Sequence, residues 1–303
     1  MDDVIVVSGL VKEYGPLRAV DDLTFTVAKG EVFALLGPNG AGKTTTVEIL
    51  EGHRERTSGA VSVLGFDPAT GGRAYRERIG VVLQEAGFDD EFSVREMVAL
   101  YASLYPRRRD PDEVIELVGL ADKSSARTKN LSGGQRRRLD LALGLVGDPE
   151  LLFLDEPTTG FDPSARRRAW ELIDSLRDLG TTILLTTHYM EEAEVLADRV
   201  AMIVNGRLVA SGPPAELAST ESTGRISFSL PPGTDPGLLP EFTGETRMEG
   251  PGIVVETERA TADLLVLTRW AVERDVELPG LALSRPSLED VYLRLTGGSG
   301  DAA

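Results

Sequence analysis

The stretch EVFALLGPNGAGKTTTVEIL, residues 31–50, narrows the fold more than any other part of the chain. Its nearly continuous apolar run at 31–37 fits a strand buried on both faces. That run leads into Gly37, Pro38, Asn39, Gly40, Ala41, Gly42, Lys43, Thr44 and Thr45, a match to G-x-x-x-x-G-K-[ST] placed after a strand and opening a helix expected over 43–51. The glycines let successive backbone N–H groups converge on phosphates, and the helix start adds partial positive charge. Lys43 reaches the β- and γ-phosphates, and Thr44 can hold Mg2+. A strand needing cover on both faces, with a phosphate loop at its carboxyl end, requires an α/β fold with its ligand at the sheet edge.

A second landmark, LLFLDEP at 151–157, delivers Asp155 and Glu156 to the carboxyl end of another apolar strand, the same edge. There Asp155 reaches a hydrated Mg2+, and Glu156, expected on the opposite side of the strand, can polarise an attacking water. Weaker features become informative beside these two. Gln84 ends IGVVLQ, as a loop residue or as a ligand of Mg2+ or water; His188 ends TTILLTTH at the same edge, as a structural hydrogen-bonder or a site residue. Tyr14 in KEYGPLRAV is either half-buried or a ring for an adenine to stack on. His53, in EGHRER, reads as a surface residue.

Around this frame the chain alternates strand and helix, with an interruption. Apolar alternation predicts strands near 4–10 and 23–28, then 60–64 and 78–83; helical periodicity takes over from about 90 to 148, with Ser93 and Glu96 as a capping box. The α/β pattern resumes with a strand at 151–154, a helix at 164–179, a strand at 182–187 and a helix at 189–197. Asn205-Gly206 between VAMIV and RLVAS marks a two-residue hairpin. The texture changes after GPPAELAS, so a boundary is expected near 220: residues 1–220 form one domain with the helical insert, and 221–303 a small α+β domain. That second part carries strands near 225–230 and 252–257, a helix at 261–273, a last helix capped by Ser287 and Asp290 and stopped by Gly297, and a disordered tail.

Within the helical insert, NLSGGQRRRLDLAL at 130–143 raises a difficulty: Ser132, Gly133, Gly134 and Gln135 open a helix and form a second anion cradle, and one nucleotide does not need two. The runs Arg107–Arg109, Arg136–Arg138 and Arg166–Arg168 read as solvated helix faces rather than an RNA surface. With 49 acidic against 32 basic residues and a net charge of −17, the chain repels nucleic acid. It has no cysteine, hence no disulfide and no thiolate metal site. Its first residues, MDDVIVVSGL, are not a signal peptide, and no stretch approaches the roughly 18 apolar residues of a membrane helix, so any membrane contact comes through a partner.

Tyr14, the loop at 37–45, Gln84, LSGGQ at 131–135, LLFLDEP, GFDP at 160–163 and His188 occur in the order found in the ATP-binding cassette (ABC) transporter ATPases, which residues 3–218 resemble. The resemblance implies a P-loop NTPase core of the ABC type, with an N-terminal antiparallel β part, an inserted helical subdomain and ATP with Mg2+ as cofactors. It implies that Tyr14 stacks on adenine, Gln84 ligates Mg2+ and transmits its state, Glu156 is the catalytic base, Asp162 faces across a subunit interface and His188 senses the γ-phosphate. It also resolves the difficulty: the second cradle serves a nucleotide held by another copy of the chain, so two subunits facing head to tail sandwich two ATP molecules. Phe161 departs from the smaller aliphatic residue usual there.

Residues 221–303, ending SLEDVYLRLTGG, are similar to the tail of bacterial drug-export ATPases of the daunorubicin-resistance type. This implies a homodimer on the cytoplasmic face of the cell membrane, driving a separate membrane-spanning permease that exports drugs, antibiotics or lipophilic compounds. The alternative is a soluble ABC ATPase acting on ribosomes or DNA. Those relatives usually carry two cassettes, long coiled coils or zinc-binding cysteines, none of which the sequence contains. A P-loop kinase or GTPase-like switch leaves LSGGQ without a use.

Overall fold

The computed structural model describes residues 3–82, 87, 89–177, 180–219, 224–250, 252–284 and 287–295. In chain order the first elements are β1 (Asp3–Tyr14), β2 (Leu17–Ala28), β3 (Val32–Leu36), α1 (Lys43–Glu51), β4 (Ser58–Val63), α2 (Gly72–Arg76) and β5 (Ile79–Val82). The helical insert follows as α3 (Val94–Ala102), α4 (Pro111–Leu117) and α5 (Gly133–Leu145). After it come β6 (Leu151–Asp155), α6 (Pro163–Arg177), β7 (Thr182–Thr187), α7 (Met190–Leu196), β8 (Arg199–Val204) and β9 (Arg207–Gly212).

Every residue of β3, β6 and β7 is buried, as continuous apolar runs between two covering layers must be. They lie in a six-stranded sheet ordered β5-β6-β7-β3-β8-β9, parallel except where β9 returns antiparallel to β8. Asn205 (φ 50°) and Gly206 (φ 78°) make that return, the left-handed pair a tight hairpin demands. A separate antiparallel sheet, β2-β1-β4, packs its inward residues Ile5, Leu10, Val27 and Val63 into the same core as Phe33, Leu35 and Phe153. The β1–β2 pair is longer than the apolar alternation suggests. Register shifts between Val7 and Leu10 and again beyond Leu10 break the two-residue period while the ladder continues to Tyr14–Leu17.

In the insert, Ser93 and Glu96 form the expected box: Glu96 N–H donates to Ser93 Oγ (3.2 Å) and Ser93 N–H to Glu96 Oε2 (2.8 Å). Val98, Val114 and Leu139, from α3, α4 and α5, are completely buried. The other end of α5 approaches β5 closely. A Cβ on Gly80 would sit 2.2 Å from Gly144 O and one on Gly144 would sit 2.8 Å from Val82 Cγ2, so both positions exclude a side chain.

The chain divides into two compact units, Met1–Pro214 and Ala215–Ala303, within α8 (Pro214–Ser219) rather than after it. The second unit holds β10 (Gly224–Ser229), β11 (Glu245–Glu249), β12 (Gly252–Thr257), α9 (Ala260–Glu273), β13 (Ala282–Ser284) and α10 (Leu288–Leu295). Its sheet is antiparallel, ordered β11-β12-β10-β13. Ile226, Phe228, Ile253 and Val255 form its core with Leu267, Trp270 and Ala271 of α9. Ser287 and Asp290 cap α10, and Arg225 of β10 donates to Asp290 Oδ1 at 2.7 Å. No helix of the described residues is long and apolar enough to cross a membrane.

Candidate functional site

The first cradle is built at the carboxyl end of β3. Gly42 precedes α1 with φ +101°, and a Cβ there would lie 2.4 Å from Ala19 O, so only glycine fits. Neighbouring elements lock the loop: Gly206 N–H donates to Ala41 O (3.0 Å), and Asp21 N–H to Gly206 O (2.8 Å). Pro38, Asn39 and Gly40 form an exposed arc. No side chain caps α1. Thr44 and Thr45 lie in its first turn, Thr44 exposed.

Lys43 is 4% exposed, and its Nζ donates to Gly37 O (2.8 Å) and Pro38 O (3.1 Å). Burial pulls its pKa down, while Glu156 and then Asp155 oppose that shift. The ammonium is therefore folded back on its own loop, 3.8 Å from Glu156 Oε1.

Asp155 ends β6 and Thr186 ends the neighbouring register on β7, so the two meet: Thr186 Oγ1 donates to Asp155 Oδ1 at 2.5 Å. Thr186 Oγ1 also accepts from Glu156 N–H (3.0 Å). Strand alternation does not describe Glu156. It leaves the strand with φ +46°, a left-handed conformation rare outside glycine, and this turn directs its carboxylate toward Lys43. Its Oε2 accepts from Thr159 Oγ1 (3.0 Å), and its Oε1 lies 3.3 Å from His188 Nδ1. The His188 ring packs on Tyr189 (centroids 4.0 Å), with the Arg166 guanidinium 4.3 Å from the Tyr189 centroid.

These residues bring Lys43, Asp155, Glu156 and His188 to one sheet edge. Asp162 sits before α6, where its Oδ1 accepts from Ala165 N–H (2.8 Å). Tyr14 ends β1, 39% exposed, with Lys12 Nζ and the Arg54 guanidinium 5.0 and 5.4 Å from its ring centroid. His53 is a surface residue whose Nδ1 lies 3.2 Å from Glu51 Oε2. Gln84 lies outside the described residues.

The second cradle is the start of α5. Ser132 is its N-cap, Gln135 N–H donates to Ser132 Oγ (3.3 Å), and Ser132 N–H donates to Gln135 Oε1 (2.9 Å). A Cβ on Gly133 or Gly134 would meet nothing within 4 Å.

Contrary to the expectation from sequence, the arginine runs are not uniformly solvated faces. Arg137 reaches back from α5 to the end of β6, donating from Nη2 to Asp155 O (2.9 Å) and Glu156 O (3.3 Å) and from Nε to Pro157 O (3.2 Å). Arg138 donates to Gly119 O (2.8 Å), and Arg109 pairs with Asp148 (3.1 Å). Glu192, 1% exposed, accepts from Thr158 Oγ1 (2.7 Å) and Trp170 Nε1 (3.2 Å), tying the turn after Glu156 to α6 and α7. Thr186 and Glu192 had no signal as site residues in the sequence, and Arg137 had little. The one available hint was that Arg137 shares a helix face with Leu141 and Gly144 at helical spacing.

Hard oxygen donors at the edge, the Thr44 hydroxyl and the Asp155 carboxylate, suit Mg2+, which takes few protein ligands and keeps the rest for water and phosphate.

Comparison with known proteins matches this architecture. A family described as ABC transporter covers residues 20–159, and one described as ABC transporter domain-containing protein-like, C-terminal domain, covers 224–287. The chain is 39% identical over 310 residues to the daunorubicin resistance ATP-binding protein DrrA3 of Streptomyces coeruleorubidus, spanning 98% of this chain and 96% of that protein. It is 42% identical over 303 residues to the Nod factor export ATP-binding protein I of Rhizobium meliloti, spanning 97% and 88%. Among solved structures, an ATP-binding subunit of an ABC transporter aligns with a TM-score of 0.64 at 28% identity, over 72% of this chain and 92% of that one. The ADP conformation of another ATP-binding cassette shares the fold, with a TM-score of 0.64 at 22% identity over 71% and 93%.

Proposed function

The chain belongs to the ATP-binding subunits of ABC transporters, which are ATPases, and from that premise we propose that it pairs head to tail with a second copy on ATP and powers a separate membrane-spanning exporter. The observation that carries the pairing is the start of α5: a second phosphate cradle whose glycines face open space, in a unit whose first cradle already has its own lysine and carboxylates. A twofold arrangement gives each nucleotide one P-loop and one partner signature, and such an interface is self-complementary by construction. The relatives' names, drug resistance and Nod factor export, support export of drug-like or lipophilic compounds, the cargo being selected by the permease. The subunit then works at the cytoplasmic face, touching the membrane only through that permease.

In this reading Lys43 exchanges the carbonyls of Gly37 and Pro38 for the β- and γ-phosphates. Glu156 then accepts a proton from the attacking water, and His188, 3.3 Å from Glu156 Oε1, orients that carboxylate and meets the γ-phosphate. Thr44 and Asp155 hold Mg2+, with Gln84 expected to join them. When bound, the ion supplies neutralisation of the phosphate charge. Tyr14 carries the adenine, and Asp162 reaches the partner.

Mixing two lesions tests the pairing. One chain carries Lys43→Ala and the other Gly134→Asp, which aims a carboxylate at the γ-phosphate. If the signature serves the partner's nucleotide, the mixed dimer has one doubly damaged site and one intact site. ATP-dependent dimerisation, followed by sedimentation, is then recovered in the mixture and absent in both parents. A mixture no better than its parents refutes the arrangement.

A further inference from the structure

Glu156 holds an unfavourable conformation, and its neighbours show what keeps it there. A left-handed backbone at a non-glycine residue is strained and persists only where the surroundings over-determine it. At φ +46° Glu156 is such a residue, and its flanking peptide units are held from two sides. On one side Thr186 fixes its N–H. On the other, one guanidinium, that of Arg137, accepts no alternative geometry easily: its planar donors bond Asp155 O, Glu156 O and Pro157 O together, three consecutive carbonyls spanning the turn.

Arg137 stands two residues after Gln135, in the first turns of the helix that opens the second cradle. Further along, α5 is fixed against β5 by the Gly80–Gly144 approach. A displacement of the α5 start is therefore passed to the turn by the Arg137 side chain, which is half-buried and bonded to it at three points.

We infer that Arg137 is a positioning residue for hydrolysis, holding the turn that aims Glu156 and so linking the placement of the base to the seating of the signature helix. The positioning rests on Glu156 being the base, and the link to the partner's nucleotide rests on the head-to-tail reading above. In this role Arg137 acts through the carbonyls of the turn, so its effect should appear in turnover and not in nucleotide affinity.

The test is a double-mutant cycle in the full chain. Arg137→Gln is expected to lower kcat about 10- to 100-fold, the scale of a small misplacement of a reacting group, with KM for ATP within about twofold of wild type. Arg137→Lys, which keeps the charge but has its donors on one nitrogen in place of a planar fork using Nε and Nη2, should fall between. In a Glu156→Gln background, measured by single-turnover hydrolysis, Arg137→Gln should cause no further loss, because it acts through the missing carboxylate. Unchanged kcat, a loss carried by KM, or an equal loss in the Glu156→Gln background each overturns the inference. Should Arg137→Gln be insoluble, Arg137→Lys carries the same cycle. Normal turnover by Glu156→Gln alone would instead remove Glu156 as base, an outcome read before Arg137 is changed.

Discussion

Replacing Thr186 by valine tests the geometry at the edge that carries Asp155 and Glu156 with almost no change of shape. Thr186 is fully buried, and valine fills the same volume, so no cavity opens. Its Oγ1 has two partners: it donates to Asp155 Oδ1 and accepts from Glu156 N–H. The second loss is cushioned because Glu156 N–H also donates to Thr186 O at 3.2 Å, a backbone bond the substitution leaves alone. The first loss is not. Asp155 is 9% exposed and loses a charge-assisted bond, worth about 1.5–3 kcal/mol. Taking about 2 kcal/mol, the melting temperature of a unit this size should fall by about 4–8 °C.

The two tryptophans allow the measurement to be assigned. Trp170 lies in the first unit, with Nε1 on Glu192, and Trp270 in the second. In a Trp270→Phe background the fluorescence transition reports the first unit alone. Thr186→Ser is the companion: it keeps the hydroxyl and loses a methyl, costing about 1 kcal/mol. ATP turnover should survive in the serine variant and drop in the valine variant. If valine leaves the melting temperature unchanged, or if serine and valine lose turnover equally, the hydroxyl does not hold Asp155 and Glu156 in place.

Two further outcomes follow from burial and from the division of the chain. Glu51 is 3% exposed, and burial, with help from Asp155 and Glu48, pushes its carboxyl up to about 8 from an ordinary 4.5. Its folded form keeps the proton over a range where the unfolded chain has lost it. Stability is thus undiminished below about pH 4.5, falls as pH rises toward 8 and is level above, and Glu51→Gln should melt with wild type at low pH and above it by pH 8.5, by an amount equivalent to about 2 kcal/mol or more. Melting curves that run parallel at all pH values would refute the assignment. A chain ending at Ser219 should fold and gain thermal stability from ATP, since both cradles and the Asp155–Glu156 edge lie in the first unit; an insoluble product would place the second unit in the core of the first.

What could be read in the sequence was whatever is written in consecutive residues. The P-loop, the run into Asp155 and the Asn205-Gly206 turn are local patterns, and the caps at Ser93, Ser132 and Ser287 state their own geometry three residues on. Side-chain reach is not written that way. An arginine triplet resembles a solvated face, yet Arg137 is half-buried and ends on carbonyls eighteen and more positions away. The course of Glu156 could not be read because period-two alternation assumes an extended backbone, and φ +46° takes the residue after β6 out of it. The short strands β11 and β13 carry ETRME and ALS, with too little apolar alternation to register, and exist because β12 and β10 offer them an edge.

The two cradles also differ in how their first amides are satisfied, and this sets an order of events. The start of α1 has no side-chain cap, and its glycine conformation leaves none possible, so the N–H groups there await an anion. The start of α5 is already served by its own Ser132–Gln135 box, and a phosphate must compete with that pair. Free ATP should therefore gain more at α1 than at α5, and under the proposed head-to-tail pairing α5 becomes useful once the phosphates are presented already ordered by another P-loop. It follows that Gly134→Asp should bind ATP as tightly as wild type in dilute, monomeric protein and fail only in ATP-dependent dimerisation. Lys43→Ala should fail at both steps. Equilibrium binding of a fluorescent ATP analogue separates them, and a Gly134→Asp monomer with weakened binding would mean that the α5 cradle helps to load its own chain's nucleotide.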